Sequence, residues 1–209
     1  MRVLLFGASG AIGSEVRRRA RLAGHELVLF ARDPARLEPI APGEAIVAGD
    51  IADPAIVARS VAGVDAVVSV LGPTSNTAEQ VALFEGFARA LVSAMEAHSV
   101  RRLVAISGAA CTLAGEHKAF RARMASGFVR LAARHVVEAK QRELDVIAAS
   151  DLDWTAPRPP RVVAAPATGS YRVGDAATGM RITQGDLAAF MVQQLTDGTY
   201  LRQAPFFSN

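Results

Sequence analysis

Three glycines spaced three apart, in Gly7-Ala8-Ser9-Gly10-Ala11-Ile12-Gly13, are the residues of this chain best suited to meeting an anion. A turn free of side chains lets the backbone approach a phosphate closely. The unpaired amides and positive dipole end of a helix opening there attract the negative charge. Ser9, Ala11 and Ile12 lie within the same turn and bring their amides to the same place. A glycine pattern by itself also suits a tight turn under a closely packed helix. Here it follows an apolar run, Arg2 to Phe6, and precedes a helical pattern and a second apolar run, Glu26 to Ala31. That order of strand, turn, helix and strand is the context in which such a turn holds the pyrophosphate of a dinucleotide.

The end of the second strand distinguishes the nicotinamide cofactors. An acid about twenty residues beyond the turn would accept from the ribose hydroxyls of NAD, whereas an arginine suits a 2′-phosphate. Arg32 stands there, with Arg36 one turn further on, so the expected cofactor is NADP(H). Asp33 is the competing residue, an acid that serves a ribose if it turns inward. Asp50, followed by Ile51, ends the third strand where an adenine would lie; it either accepts from the adenine amino group or caps the next turn. Leu71-Gly72-Pro73 closes the fourth strand, where a glycine leaves room for a nicotinamide ribose.

The elements that must position these residues follow a βα rhythm, which marks a parallel sheet. Strands are expected at Arg2 to Phe6, Glu26 to Ala31, Ala45 to Ala48, Ala66 to Leu71, Arg102 to Ile106 and Asp153 to Ala156. Helices are expected at Ala11 to Ala23, ended by Gly24, at Pro34 to Leu37, at Pro54 to Val61 with Asp53 as N-cap, and at Ala78 to His98. Helical sequence then runs from about Lys118 to Ala149, with a break near Arg134-His135. After the proline cluster at Pro157 to Pro160 the rhythm is lost. Ser170 to Val173 and Met180 to Thr183 read as short strands, and Asp186 as the cap of a helix over Leu187 to Thr196. No linker divides the chain, so residues 1–209 are expected to form one domain with small C-terminal additions on the substrate side.

Composition narrows the function classes. With 51% hydrophobic residues the chain has ample material for a core, and its single cysteine, Cys111, excludes an internal disulfide framework. The net charge of +3 comes from arginines scattered among acids rather than from a basic stripe, which argues against nucleic-acid binding. The apolar start, Met1 to Phe6, is short for a signal segment, and no apolar run approaches a membrane span. The expectation is a soluble cytoplasmic protein, monomer or homodimer, acting on a small molecule without a membrane partner. His25, His98, His117 and His135 have no metal-ligand spacing with one another or with Cys111, and no metal is expected.

These residues together resemble the atypical short-chain dehydrogenase/reductases with an NAD(P)H-binding domain, the group that includes biliverdin reductase B-like flavin reductases and NmrA-like proteins. The resemblance rests on Gly7 to Gly13, on Phe30-Ala31-Arg32-Asp33-Pro34, on Gly49-Asp50, and on Ala62 to Val68 with Leu71-Gly72. It continues through Ser150 to Thr155, Arg158-Pro159, and Ile182-Thr183 with Asp186-Leu187-Ala188. It implies a Rossmann-type doubly wound parallel sheet in three α/β/α layers, and NADPH-dependent reduction of a flavin, quinone or other conjugated acceptor. Two alternatives remain beside it, an NADP(H)-sensing regulator without turnover and a metabolite epimerase or isomerase.

The family's Ser, Tyr and Lys set is incomplete. The resemblance places the lysine at Lys140, toward the nicotinamide ribose, and the serine at Ser107, to orient a substrate carbonyl or the carboxamide. Ser107 equally suits an ordinary strand-end hydroxyl bonded to backbone. The tyrosine position falls on Val136, which has no proton to give. A proton then comes from His135 beside it, from His117 or from solvent. His135 points about 100° away from its neighbour on a helix, and a surface or packed histidine is the plainer alternative. Arg161 stands where a flavin-reductase relative carries a histidine, so substrate contacts there are expected to differ.

Overall fold

The computed structural model describes residues 1–37, 39–116, 133–176 and 179–209. Six parallel strands form the central sheet: β1 (Arg2–Phe6), β2 (Glu26–Ala31), β3 (Glu44–Ala48), β4 (Ala66–Ser69), β5 (Arg102–Ala105) and β6 (Asp153–Thr155). Their order, β3-β2-β1-β4-β5-β6, reverses direction between β1 and β4, the switch point of a doubly wound Rossmann-like sheet. In register, Val3 lies between Leu27 and Ala66, and Phe6 between Phe30 and Ser69.

Alternation along the strands builds two cores. Val3, Leu5, Leu27 and Leu29 face one side, where α1 (Ala11–Leu22) and a C-terminal helix, α5 (Gln184–Gln193), cover them with Val16, Ala20, Leu187 and Met191. Leu4, Phe6, Val28 and Phe30 face the other, beneath α2 (Pro54–Val61), α3 (Ala78–Ala97) and α4 (Arg134–Ala148), which contribute Val57, Phe87, Leu91, Leu144 and Ile147. Burial on both faces is why these strands read as nearly continuous apolar runs. The result is a single three-layer α/β/α domain.

Helix ends follow local chemistry. α1 stops in a Schellman turn: Gly24 has φ +78°, His25 N–H donates to Ala20 O at 3.0 Å, and Gly24 N–H to Arg21 O at 2.9 Å. Asp53 caps α2 through Ala55 and Ile56 N–H, as its sequence requires. α4 begins at Arg134, where a break was expected; the preceding helical expectation, with His117, lies largely outside the described residues.

Two expectations are corrected. β4 ends at Ser69, two residues short of Leu71: Val70 N–H makes the last bond to β1, to Phe6 O at 3.1 Å, and the chain leaves the ladder beyond it, at the switch point. The cap of α5 is Thr183 rather than Asp186: the Thr183 hydroxyl oxygen accepts from Asp186 N–H at 3.0 Å, so the helix starts at Gln184. Beyond the main sheet, β7 (Arg161–Val163) pairs with β9 (Arg181–Thr183) and β8 (Arg172–Gly174) with β10 (Phe206–Ser208).

Candidate functional site

The carboxyl ends of β1, β2, β3 and β4 open on one cleft of about 580 Å³, a volume usual for a small-molecule or cofactor site. Gly7 and Ser9 form its floor, Arg32, Asp33 and Arg36 one end, Asp50 and Ile51 a wall, and Leu71 and Gly72 the side nearest the switch point. Gly7 sits at φ +86°, and Gly10 N–H donates to Gly7 O at 3.0 Å, which closes the turn. A Cβ on Gly13 would lie 2.0 Å from Gly7 O, so only glycine allows α1 to start this close to the turn. No side chain caps α1 and no acid stands in its first turn, so its dipole end is bare. The Cβ direction at Gly72 meets nothing within 4 Å, so that edge of the cleft is open. A glycine cradle, a bare helix end and an open edge fit a dinucleotide.

At the β2 end, Arg32 and Arg36 are both exposed at the cleft, and neither makes a salt bridge or side-chain hydrogen bond among the described residues. Asp33 is turned to another task. Its Oδ1 accepts from Ala35 N–H at 3.2 Å and its carbonyl from Arg36 N–H at 3.3 Å, fastening the short helical turn Pro34–Leu37. Of the two roles left open for it, Asp50 takes the cap of the next turn: Oδ1 accepts from Ala52 N–H at 2.9 Å, and the residue also lines the cleft.

At the other end, Lys140 comes to the cleft from behind. Its Nζ donates to Leu71 O at 3.1 Å, lies 5.4 Å from the ring centre of Phe84, and is paired with Glu143 one turn along α4. Phe84 and Leu71 are cleft residues, so the ammonium stands directly behind the lining. Glu143 is fully buried; burial pushes its carboxyl up, opposed by the Lys140 charge. Val136 lies one turn before Lys140 on the same stripe of α4. Ser107 follows β5, its N–H bound to Pro157 O at 2.9 Å, and its buried Oγ has no hydrogen-bond partner among the described residues. Ser107 is not among the residues that line the cleft.

His135 is not brought to this cleft. Its Nδ1 lies 3.0 Å from Asn76 O, and its ring lines a shallow outer groove between α3 and α4 with Val81 and Glu85. Asn76 Oδ1 accepts from His135 and Val136 N–H at 2.9 and 3.3 Å, and so caps α4 from the loop after β4. Sequence reasoning missed Asn76, Glu143 and the cleft face of α3. Gln80, Leu83 and Phe84 of that face follow helical spacing and were legible as one stripe. Gln80 Oε1 also accepts from Thr74 N–H at 3.0 Å, steadying the loop beyond Gly72.

Arg158 is structural. It pairs with Glu116, donates to Ala204 O at 2.6 Å and Cys111 O at 3.1 Å, and stacks on Phe206, tying the strand-five loop to the C-terminal segment. No cluster of three or more potential metal ligands occurs among the described residues, and none of their helices is long and apolar enough to cross a membrane.

A family model described as NAD(P)H-binding matches residues 7–198. Solved structures share the fold. The oxidoreductase ylbE of Lactococcus lactis superimposes with a TM-score of 0.81 at 19% identity, covering 100% of this chain and 91% of that one. A Rossmann-fold NAD(P)-binding family protein of Shigella flexneri gives 0.76 at 20% identity, with 100% and 93% covered. The anaerobilin reductase ChuY of Escherichia coli gives 0.76 at 18% identity, with 100% and 97% covered.

Proposed function

This chain belongs to the NAD(P)H-binding family, and from that premise we propose that it is an NADPH-dependent oxidoreductase reducing a flavin, quinone or other conjugated small-molecule acceptor. The observation that carries this reading is the bare, glycine-lined start of α1 facing the same cleft as two arginines without acidic partners among the described residues. The amides of Gly7 to Gly13 hold the pyrophosphate, and Arg32 and Arg36 grip the 2′-phosphate with charge-assisted bonds. Asp50 and Ile51 flank the adenine. Leu71 and Gly72 leave space for the nicotinamide ribose, toward which Lys140 is directed from behind, and Ser107 Oγ orients the carboxamide or the acceptor carbonyl. When bound, the reduced nicotinamide supplies a hydride. Val136 offers no proton and His135 faces the outer groove, so the acceptor takes its proton from solvent.

One observation favours a second reading, a cofactor-sensing regulator: the tyrosine position is Val136, and the Lys140 ammonium is already engaged by Glu143 and Leu71 O. A single assay separates the two. Purified protein is mixed with NADPH and, in turn, FMN, dichlorophenolindophenol and menadione. Acceptor-dependent NADPH oxidation, slower with NADH, is expected. Tight NADPH binding with no turnover on any acceptor would replace the enzyme by the regulator.

A further inference from the structure

We propose that Arg17 and Glu44, neither of which lines the cleft, are a positioning pair that sets preference for a 2′-phosphorylated dinucleotide by holding the segment that presents Arg32 and Arg36. The inference rests on the reading that these two arginines take the 2′-phosphate. Arg17 lies on α1, one turn beyond Gly13, and points across to the chain between β2 and β3. Its Nε and Nη2 grip both oxygens of Glu44 at 2.7 and 2.5 Å. Its Nη1 donates to Leu37 O at 2.7 Å and its Nη2 to Pro39 O at 2.9 Å. Glu44 Oε2 accepts in addition from Ala41 N–H at 2.9 Å.

One guanidinium and one carboxylate therefore fasten the backbone at residues 37, 39 and 41, the return half of the segment that begins at Arg32. The Glu44 side chain is wholly buried although it opens an edge strand, and the Arg17 side chain keeps only 16% of its exposure. Hydrogen bonding from Arg17 outweighs burial and holds the Glu44 carboxyl below the usual range, so the pair is charged at neutral pH. The planar fork is what reaches one carboxylate and two carbonyls at once.

The consequence is selective because of where the pair acts. The pyrophosphate turn, Gly7 to Gly13, is held by strand β1 and by close packing at Gly13, and the Arg17 side chain bonds to Glu44, Leu37 and Pro39 rather than to that turn. Releasing Arg17 leaves that shared anchor in place. It frees the segment bearing Arg32 and Arg36, which must then be ordered at the moment a 2′-phosphate binds, and that ordering weakens only the phosphorylated ligand.

The test is calorimetric titration of NADPH, NADH, 2′,5′-ADP and 5′-AMP into the wild type, Arg17→Gln, Arg32→Ala and the double variant. Arg17→Gln is expected to raise Kd for NADPH and 2′,5′-ADP by about 5- to 20-fold and to change NADH and 5′-AMP by less than about twofold. In the Arg32→Ala background most of that selective loss should vanish. Parallel weakening of NADPH and NADH, no weakening, or an undiminished effect without Arg32 would overturn the proposal. Should Arg17→Gln fail to fold, Arg17→Lys keeps the ion pair but not the fork; an unchanged NADPH-to-NADH ratio in that variant is equally fatal. If Arg32→Ala itself leaves the ratio unaltered, the 2′-phosphate reading fails, whereas a shift there without one at Arg17 removes the positioning pair alone.

Discussion

Helices α1 and α5 pack against each other on one face of the sheet, yet their first turns are completed by opposite means. α5 satisfies itself. Thr183 caps it, and Asp186, in the first turn and completely buried, accepts from Thr168 N–H and Oγ1, Gly169 N–H, Thr183 Oγ1 and Asn209 Nδ2. Burial works against the Asp186 carboxylate, but the bonds from Thr168, Asn209 and the two amides outweigh it and hold the carboxyl far below its ordinary value. α1 opens instead on Gly10, with no capping side chain and no acid. The same dipole end is thus spent on internal cohesion in one helix and left without a capping side chain in its neighbour, where the proposed dinucleotide would place its pyrophosphate. The contrast separates structure from function within one layer.

The largest test of that contrast is at Asp186. Asp186→Ala removes the shared acceptor of five donors, of which the Thr168 hydroxyl and Asn209 Nδ2 keep Ser170 O, and should cost about 3 to 4 kcal/mol by urea denaturation, with dinucleotide Kd nearly unchanged while the protein is folded. The sign with pH follows from the lowered carboxyl: its contribution is complete above the ordinary value of 3.8 and is lost as pH falls below it toward the folded-state value. Asp186→Asn should therefore show a flatter loss of stability in that acid range, read by circular dichroism.

Gly10→Asp converts α1 into the α5 type. Gly10 has φ −84° and ψ 168°, and an added Cβ meets only Gly7 O at 3.4 Å, so an aspartate fits. A cap there should stabilise the ligand-free protein by a few tenths of a kcal/mol and, by placing a negative charge at the anion site, weaken NADPH and NADH alike by about a hundredfold. Unchanged affinity would mean that the bare end is not where phosphate sits. The smallest effect is at Asp53→Ala, which removes the α2 cap and should cost about 1 kcal/mol in thermal or urea unfolding without touching cofactor selectivity.

How much of this was legible depended on the range of the interaction. Gly24, Asp53 and the turn Gly7 to Gly13 act within a few residues of themselves, and local spacing showed them. Thr183-Gln184-Gly185-Asp186 also spells a capping box, but the choice between its two ends was decided elsewhere. A Cβ on Gly185 would lie 2.1 Å from Ala167 N, so the helix starts tight against the 165–167 strand of chain, and Asp186 is drawn inward to Thr168 and Asn209. The three-residue strands β7 and β10 carry too little periodicity to stand out and exist through partners at Arg181–Thr183 and Arg172–Gly174.

By itself the sequence determined the alternation that buries two sheet faces, the glycine turn at the first strand and the arginines after the second. These depend on side-chain type and on periods of two or three to four residues. Only the tertiary structure decided that Lys140 meets Leu71 and Glu143, that Asn76 caps α4 and draws His135 to the outer groove, and that Arg17 binds Leu37, Pro39 and Glu44. Most of those partners lie tens of residues apart, and long-range hydrogen bonds leave no periodic trace in a chain until packing has chosen which polar groups are buried together.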